Sequence, residues 1–286
     1  MHLFVFLTGF LAKHNPKRLI TRLIIPYFVF QFLYTLFHIY IVGNSLVQVR
    51  FTTPFWHLWF LMATIAWMLI LPILDSLTDT LFKSWIVVGA SFLLGLLAGF
   101  ETTMGYYMSL QRIFYFLPFF VLGFVLKKHF DPEELIEFVK IPKVRIIFVS
   151  LCSLILILVF ALTDHIYVRW LWAAFSYQSL AHEGYGLHVR LIIYICAVII
   201  SIAVISLIPN VKMFFSYIGE HSIRVFLLHG FIMAFMEIFR FDYAYYGLQM
   251  LFMTVFVTAL TVFILPTRLF SLSFWIWLLV KRRSER

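Results

Sequence analysis

From residue 23 onward the chain is a succession of apolar stretches, each about as long as a bilayer is thick. A helix crosses the hydrocarbon core in about 20 residues, with a range of about 17–25. Candidate spans fall at 23–43, 55–74, 85–100, 113–126, 145–162, 190–208, 223–240 and 248–266. A closed barrel is the other way to satisfy backbone groups in lipid, and it requires apolar and polar positions to alternate. Leu154-Ile155-Leu156-Ile157-Leu158-Val159-Phe160 does not alternate, so the spans are read as helices.

Composition supports this reading. Charged residues make up 12% of the chain and hydrophobic residues 63%, whereas a soluble globule carries about 25% charge. So few ionic groups cannot cover a surface in water. The net charge of +9 invites a nucleic-acid reading. Membrane proteins keep Lys and Arg on the cytoplasmic side, which alone makes them basic, so no nucleic-acid partner is expected. Cys152 and Cys196 both lie in apolar runs and read as buried thiols, not as a bridge.

Residues 3–12 (LFVFLTGFLA) are membrane-like but too short to cross. Lys13, His14, Lys17 and Arg18 follow this stretch, the reverse of a signal peptide. It reads as the cytoplasmic half of a span. Placing 13–22 inside and alternating from there puts seventeen of the 22 Lys and Arg inside. Arg50, Arg112, Arg169, Arg190 and Arg240 fall outside. The bias predicts a cytoplasmic C-terminus and a multi-pass protein of the plasma membrane. The fold class expected is an all-α integral membrane protein, a helical bundle of about nine segments counting the stub. With nine, residue 1 emerges outside, and a cytoplasmic N-terminus calls for one more helix upstream.

Residues 1–286 read as a single transmembrane domain with two notable loops. The inner loop 127–144 carries Asp131-Pro132-Glu133-Glu134 ahead of Leu135, Ile136, Phe138 and Val139. An Asp cap, a Pro at the first position and early acids predict a short amphipathic helix on the inner surface. The outer loop 163–189 mixes Asp164, Glu183, His165, His182 and His188 with Trp170, Trp172, Tyr167 and Tyr177. Such a mixture suits sugar rings, though an aromatic belt gives a similar composition. Pro26, Pro72, Pro118 and Pro266 lie in or at the ends of spans, where proline kinks helices. No internal repeat or low-complexity tract is visible.

Ionisable residues within a membrane are expensive and are functional candidates by default. His57, in Trp56-His57-Leu58-Trp59-Phe60-Leu61, sits at an outer span end. A neutral imidazole there is suited to accept a hydroxyl proton, although position alone favours an interfacial anchor. His229 lies five residues beyond Arg224 in one predicted helix, about 7.5 Å deeper. It reads equally as a functional group or as a hydrogen bond to a neighbouring helix. Lys17, Arg18 and Arg22 stand at an inner helix end. Arginines there suit phosphate or pyrophosphate through bidentate contacts, and the positive-inside rule also places them there. Glu237 with Arg240, and Glu101 with Arg112, are weaker candidates near outer ends. No GxxxxGK, GxGxxG, HExxH or GxSxG motif is present, and His and Cys are too scattered for a metal site.

Several stretches resemble the acyltransferase-3 family of integral membrane O-acyltransferases, particularly its fucose 4-O-acetylase-like members. Residues 1–10, MHLFVFLTGF, resemble the family's "MPLFFFISGY". Arg22-Leu23-Ile24-Ile25-Pro26-Tyr27 resembles "RLLIPY", and Trp56–Leu61 resembles "WHLWFL", the most specific of the set. Gly219-Glu220-His221-Ser222 through Leu228-His229 resembles "GKxS…YLLH", and Arg112 ahead of Phe114–Gly123 fits "R…FLPFFLLG". The resemblance implies ten helices and transfer of an acyl group, acetyl being expected. The implied donor is cytoplasmic acyl-CoA, and the implied acceptor is a hydroxyl of a surface or lipid-linked carbohydrate.

By this resemblance the principal base is a His of the family's first helix, and among the residues present His57 and His229 are the supporting catalytic candidates, the first on the acceptor side and the second on the donor side. Lys17, Arg18 and Arg22 would hold CoA phosphates, while Trp56, Trp59, Arg112 and Ser222 would contact substrate. The family's first helix carries a basic residue and a His that this sequence lacks, and His2 falls where the family has Pro. An upstream start and a truncated, inactive copy are both compatible with that departure. A transporter or flippase of a lipid-linked sugar, using the same polar residues without covalent chemistry, is the alternative.

Overall fold

The computed structural model describes residues 1–41, 43, 52–55, 57–209, 211, 213–238, 255–259, 261 and 263. The described residues are helical, with turns and no strand. Six of their helices are long and apolar enough to cross a membrane: Pro16–Tyr40, Trp59–Leu77, Leu81–Phe100, Tyr107–His129, Pro142–Ala161 and Leu187–Leu207. A shorter apolar helix covers Ser222–Ala234. The protein is an all-α, multi-pass membrane protein. Trp56, Arg50, Lys212, Arg240, the side chain of Glu237, Pro266, most of the predicted span 248–266 and the C-terminal tail lie outside the described residues.

The chain divides into two compact units, Met1–Val29 with Arg50–Pro209, and Phe30–Val49 with Asn210–Arg286. In the first, helix α1 spans His2–Phe10, α2 Pro16–Leu19, and α3, which begins at Ile25, runs on to Tyr40 in the second unit. The remaining helices are α4 (Trp59–Leu77), α5 (Leu81–Leu97), α6 (Leu110–His129), α7 (Pro132–Lys140), α8 (Pro142–Ala161) and α9 (Leu187–Leu207).

The axis of this unit is α6, which buries Gln111, Tyr115 through Val121, Gly123 and Val125. Glycines bring α1 against it. A Cβ on Gly9 would lie 2.0 Å from the carbonyl oxygen of Phe120, and one on Gly123 would lie 2.1 Å from that of Phe6. Small residues admit such backbone contact, which packs helices without a hydrophobic driving force between them. Trp59 stacks on Phe116, Trp67 stacks on Phe120, and Lys128 pairs with Asp75 at 2.6 Å, so α4 runs parallel to α6. Ser84 meets His129 at 2.7 Å while Gly95 abuts Phe114, so α5 runs antiparallel. His2 beside Tyr115 and Lys127 over Phe10 make α1 parallel to α6 as well.

These directions sort the loops. Residues 11–24, 78–80 and 130–141 fall at one end, and 52–58, 101–109 and 162–186 at the other. The first end, here termed basic, carries ten of the thirteen Lys and Arg described in this unit. The other is termed aromatic. The alternation agrees with the charge pattern expected of the sequence.

The inner-loop helix forms as its sequence chemistry predicts. The Asp131 carboxylate accepts from the Glu133 N–H at 2.8 Å, with Pro132 at the first position and Glu133 and Glu134 in the first turn. Helix α8 buries none of its residues, and Phe160 is 86% exposed. Apolar all round and unburied, it presents a surface suited to lipid. In the second unit, α10 covers Phe214–Glu220 and α11 covers Ser222–Ile238. Tyr34 stacks on Phe231 with centroids 3.9 Å apart and donates to the carbonyl of Leu227 at 3.0 Å.

Candidate functional site

Three segments meet at the aromatic end. The turn 55–58 closes when the Leu58 N–H donates to Phe55 O at 2.7 Å, and it delivers His57 to a site only 4% exposed. The Met108 N–H donates to Thr52 O at 2.7 Å, tying this stretch to the 104–109 loop. Met108 and Ser109 both adopt positive φ, 45° and 56°, a region non-glycine residues rarely occupy. They turn the chain so that α6 starts at Leu110 and Arg112 projects from its first turn. The Arg112 guanidinium carbon sits 5.1 Å from the Trp59 ring and 5.4 Å from the Tyr106 ring, and its Nε donates to Trp172 O at 3.0 Å. Trp172 in turn stacks on Phe175, and Tyr106 meets Phe175 edge-on. Arg112 therefore joins the start of α4, the 101–109 loop and the long outer loop. Tyr106, Tyr107 and Trp172 remain 40%, 52% and 47% exposed, giving an aromatic rim beside a cation. Flat rings with a guanidinium between them can stack a sugar ring and hydrogen-bond its hydroxyls.

Beneath this rim lies a fully buried Arg190. It donates from Nη1 to Gly95 O at 2.8 Å, from Nη2 to Phe175 O at 3.1 Å and from Nε to the Tyr185 hydroxyl at 3.1 Å. The rings of Tyr177, Tyr115 and Tyr185 surround its guanidinium at 4.7, 5.1 and 5.6 Å. Among the described residues no carboxylate pairs with it, and the buried Glu183 is taken by Arg169 instead. Carbonyl dipoles and ring faces thus hold the charge. In the loop, burial pushes the Tyr177 and Tyr185 hydroxyls up, and Arg190 pulls both partly back. Tyr177, Glu183 and Tyr185 of the outer loop are internal, whereas Asp164, His165, Tyr167, Trp172, His182 and His188 stay exposed. Tyr177, Leu180 and Tyr185 form a small core with Trp170 and Phe175.

At the basic end the helix start is distorted. Pro26 has no N–H to give Arg22 O, and residues 20–24 widen into a π-turn in which the Ile25 N–H reaches Ile20 O. Asn15 caps the preceding turn, accepting from the Arg18 N–H at 3.0 Å. A cavity of about 240 Å³ opens beside this stretch, lined by Lys13, His14, Arg18, Arg22, Asn15 and Met68 among others. Arg18 and Arg22 are four apart and share a face. Lys17, one residue out of phase, does not line the cavity. Four basic side chains around one opening suit a phosphorylated ligand.

His229 and Ser222 belong to the second unit, on α11. The His229 Nδ1 lies 2.7 Å from Phe226 O and 3.1 Å from Val225 O. Both of these oxygens belong to carbonyls, which only accept, so Nδ1 is the donor in these contacts. Ser222 is exposed at the first position of the helix. The structure thus brings Trp59, His57 and Arg112 to one end, Arg18 and Arg22 to the other, and places His229 and Ser222 on one helix.

The sequence of a family described as an acyltransferase domain matches residues 1–279. The chain belongs to the acyltransferase-3 family. No curated protein and no solved structure matches it. In this membrane acyltransferase the stretches that resemble the family fall at defined places: His57–Leu61 leads into α4, Arg112 lies in the first turn of α6, and Ser222 through His229 opens α11. What the motifs leave out are groups that build the two ends, namely Arg190, Gln111, Lys13 and His14. Arg190 had one visible signal, a charge three residues inside the long apolar helix α9.

Proposed function

We propose that the protein is an O-acyltransferase, fucose 4-O-acetylase-like, which moves an acetyl group from cytoplasmic acyl-CoA to a hydroxyl of a surface or lipid-linked carbohydrate. The observation that carries this reading is the pairing of a cavity lined by Lys13, His14, Arg18 and Arg22 at one end of the first unit with an aromatic rim gripped by Arg112 at the other. Arg18 and Arg22, with Lys13 and His14, would hold the CoA phosphates. Trp59, Arg112 and the exposed Trp172 would hold the sugar, together with Trp56 of the same motif. His57 would take the hydroxyl proton as the oxygen attacks the thioester carbonyl. The new C–O ester bond forms, the C–S bond breaks, and the proton passes to the leaving thiolate. His229 is the donor-side candidate. The protein would sit in the plasma membrane with its C-terminus cytoplasmic.

The test is transfer of labelled acetyl from acetyl-CoA to glycan in proteoliposomes. Label should reach glycan with the native sequence and fall at least about 100-fold with His57→Ala. Undiminished transfer by that variant would remove His57 from the reaction. The π-turn beside the basic cavity also fits a transporter, whose binding helices are commonly interrupted. Glycan that crosses the bilayer without acquiring label would favour that reading.

A further inference from the structure

Among the buried polar atoms at the aromatic end that make no hydrogen bond, three belong to side chains that neighbour one another along α6 and α1: Gln111 Oε1, Tyr115 Oη and His2 Nε2. Gln111 and Tyr115 are both 0% exposed and four residues apart, hence on one face of α6. The orientation of the Gln111 amide is fixed because Nε2 faces two carbonyls, Ala98 O at 3.0 Å and Phe175 O at 3.4 Å. Oε1 is then the end without a partner. Phe175 O also accepts from Arg190, whose guanidinium covers the Tyr115 ring. The Tyr115 ring lies 5.6 Å from the imidazole of His2, which Phe116, Phe119 and Tyr194 wall in at 5.0, 4.7 and 6.4 Å.

A buried polar group left dry costs about 1–3 kcal/mol, and native interiors satisfy roughly 90% or more of theirs. Three together call for a ligand. Their chemistry selects it. Gln111 Oε1 only accepts, Tyr115 Oη donates and accepts, and His2 Nε2 does either according to tautomer. An anion has nothing to receive from Gln111 Oε1. A cation or metal ion is repelled by Arg190 against the same tyrosine ring. A neutral hydroxyl, which gives one proton and accepts others, complements all three. We propose that Gln111, Tyr115 and His2 form a buried hydroxyl-binding site beneath the aromatic rim, filled by water or by the hydroxyl of a sugar. Only the sugar arm rests on the acyltransferase reading, and the site itself stands without it.

The experiment needs no catalysis. The full chain in lipid nanodiscs is placed in D2O, and exchange at the imidazole C2 carbon of each His is followed by mass spectrometry. Exposed His14 and His165 serve as references. His2 should exchange within about tenfold of them, and Tyr115→Phe, which keeps the ring and removes one ligand, should slow His2 about tenfold. A methyl glycoside that protects His2 alone identifies the sugar hydroxyl as occupant, and unchanged exchange identifies water. If His2 does not exchange while the references do, the cage is dry and the proposal is overturned. It is equally overturned if Tyr115→Phe leaves the His2 rate unaltered. Absence of acetyl transfer bears on the proposed function alone.

Discussion

At the basic end of the first unit, Lys13, His14, Arg18 and Arg22 are exposed side chains around an open cavity. At the aromatic end, Arg112 is held between two rings and a carbonyl, while Arg190 is wholly enclosed by three tyrosines and three hydrogen-bond acceptors. The first arrangement would select a ligand by charge, with any cation at the right spot contributing. The second depends on the planar shape of guanidinium, because ring faces and forked donors must be met together. One end is therefore tolerant of substitution and sensitive to salt, and the other is intolerant and insensitive.

The largest expected effect follows from enclosure. Arg190→Met leaves Gly95 O without its donor and removes one donor each from Phe175 O and the Tyr185 hydroxyl. At about 1–3 kcal/mol for each lost partner, destabilisation of at least about 3 kcal/mol is expected. Arg190→Lys should recover little, since an ammonium cannot reach three directions in a plane. Thermal melting in detergent measures both. A Met variant that melts with the native protein would mean the rings alone hold this end together.

How far these ends were legible in the sequence depends on where each partner comes from. The spans were readable because length and apolarity are local. So was the helix after Asp131, whose cap, proline and acids are neighbours. The spans at 85–100 and 113–126 read short because Lys83 and Ser84, and Gln111 and Arg112, look like loop residues. In the structure Ser84 and Gln111 are 0% exposed, each satisfied in part by carbonyls of other segments. Arg190 was readable as a charge on the outer side, but its role was not, because Gly95 O lies 95 positions away. The cavity face was half readable. The spacing of Arg18 and Arg22 gives it, whereas Lys13 and His14 join it only through the turn at Asn15 and Pro16.

A middle-sized effect tests whether packing, and not charge, sets the core between the ends. Gly9→Val puts side-chain carbon where the Phe120 backbone already stands, with the Cβ 2.0 Å from its carbonyl oxygen. Backbone cannot swing aside as a flexible side chain does, so α1 must lift from α6, at about 1–3 kcal/mol. Gly89→Ala in α5 is the control, since nothing lies within 4 Å of the added methyl. There the helix should gain roughly 0.5–1 kcal/mol from lost glycine flexibility. Opposite signs in the two melting curves would fix the contact as steric. Equal losses would trace the effect to helix ends or lipid.

The smallest stability effects fall on Arg18 and Arg112, the two cations proposed to face ligands, and here the contrast between the ends is sharpest in kinetics. Arg18→Ala removes an exposed charge, so the melting temperature should hardly move. If the cavity takes acyl-CoA as proposed, its KM should rise about tenfold at low salt, and the difference should shrink as salt screens the remaining cations. Lys17→Ala, off the cavity, should change KM less. Arg112→Lys keeps its charge but loses the flat surface between Trp59 and Tyr106. Its KM for the sugar should rise with no dependence on salt, since shape and not net charge has been removed. If Arg112→Lys proves salt-sensitive and Arg18→Ala does not, the roles of the two ends are reversed, and the donor belongs with the rings.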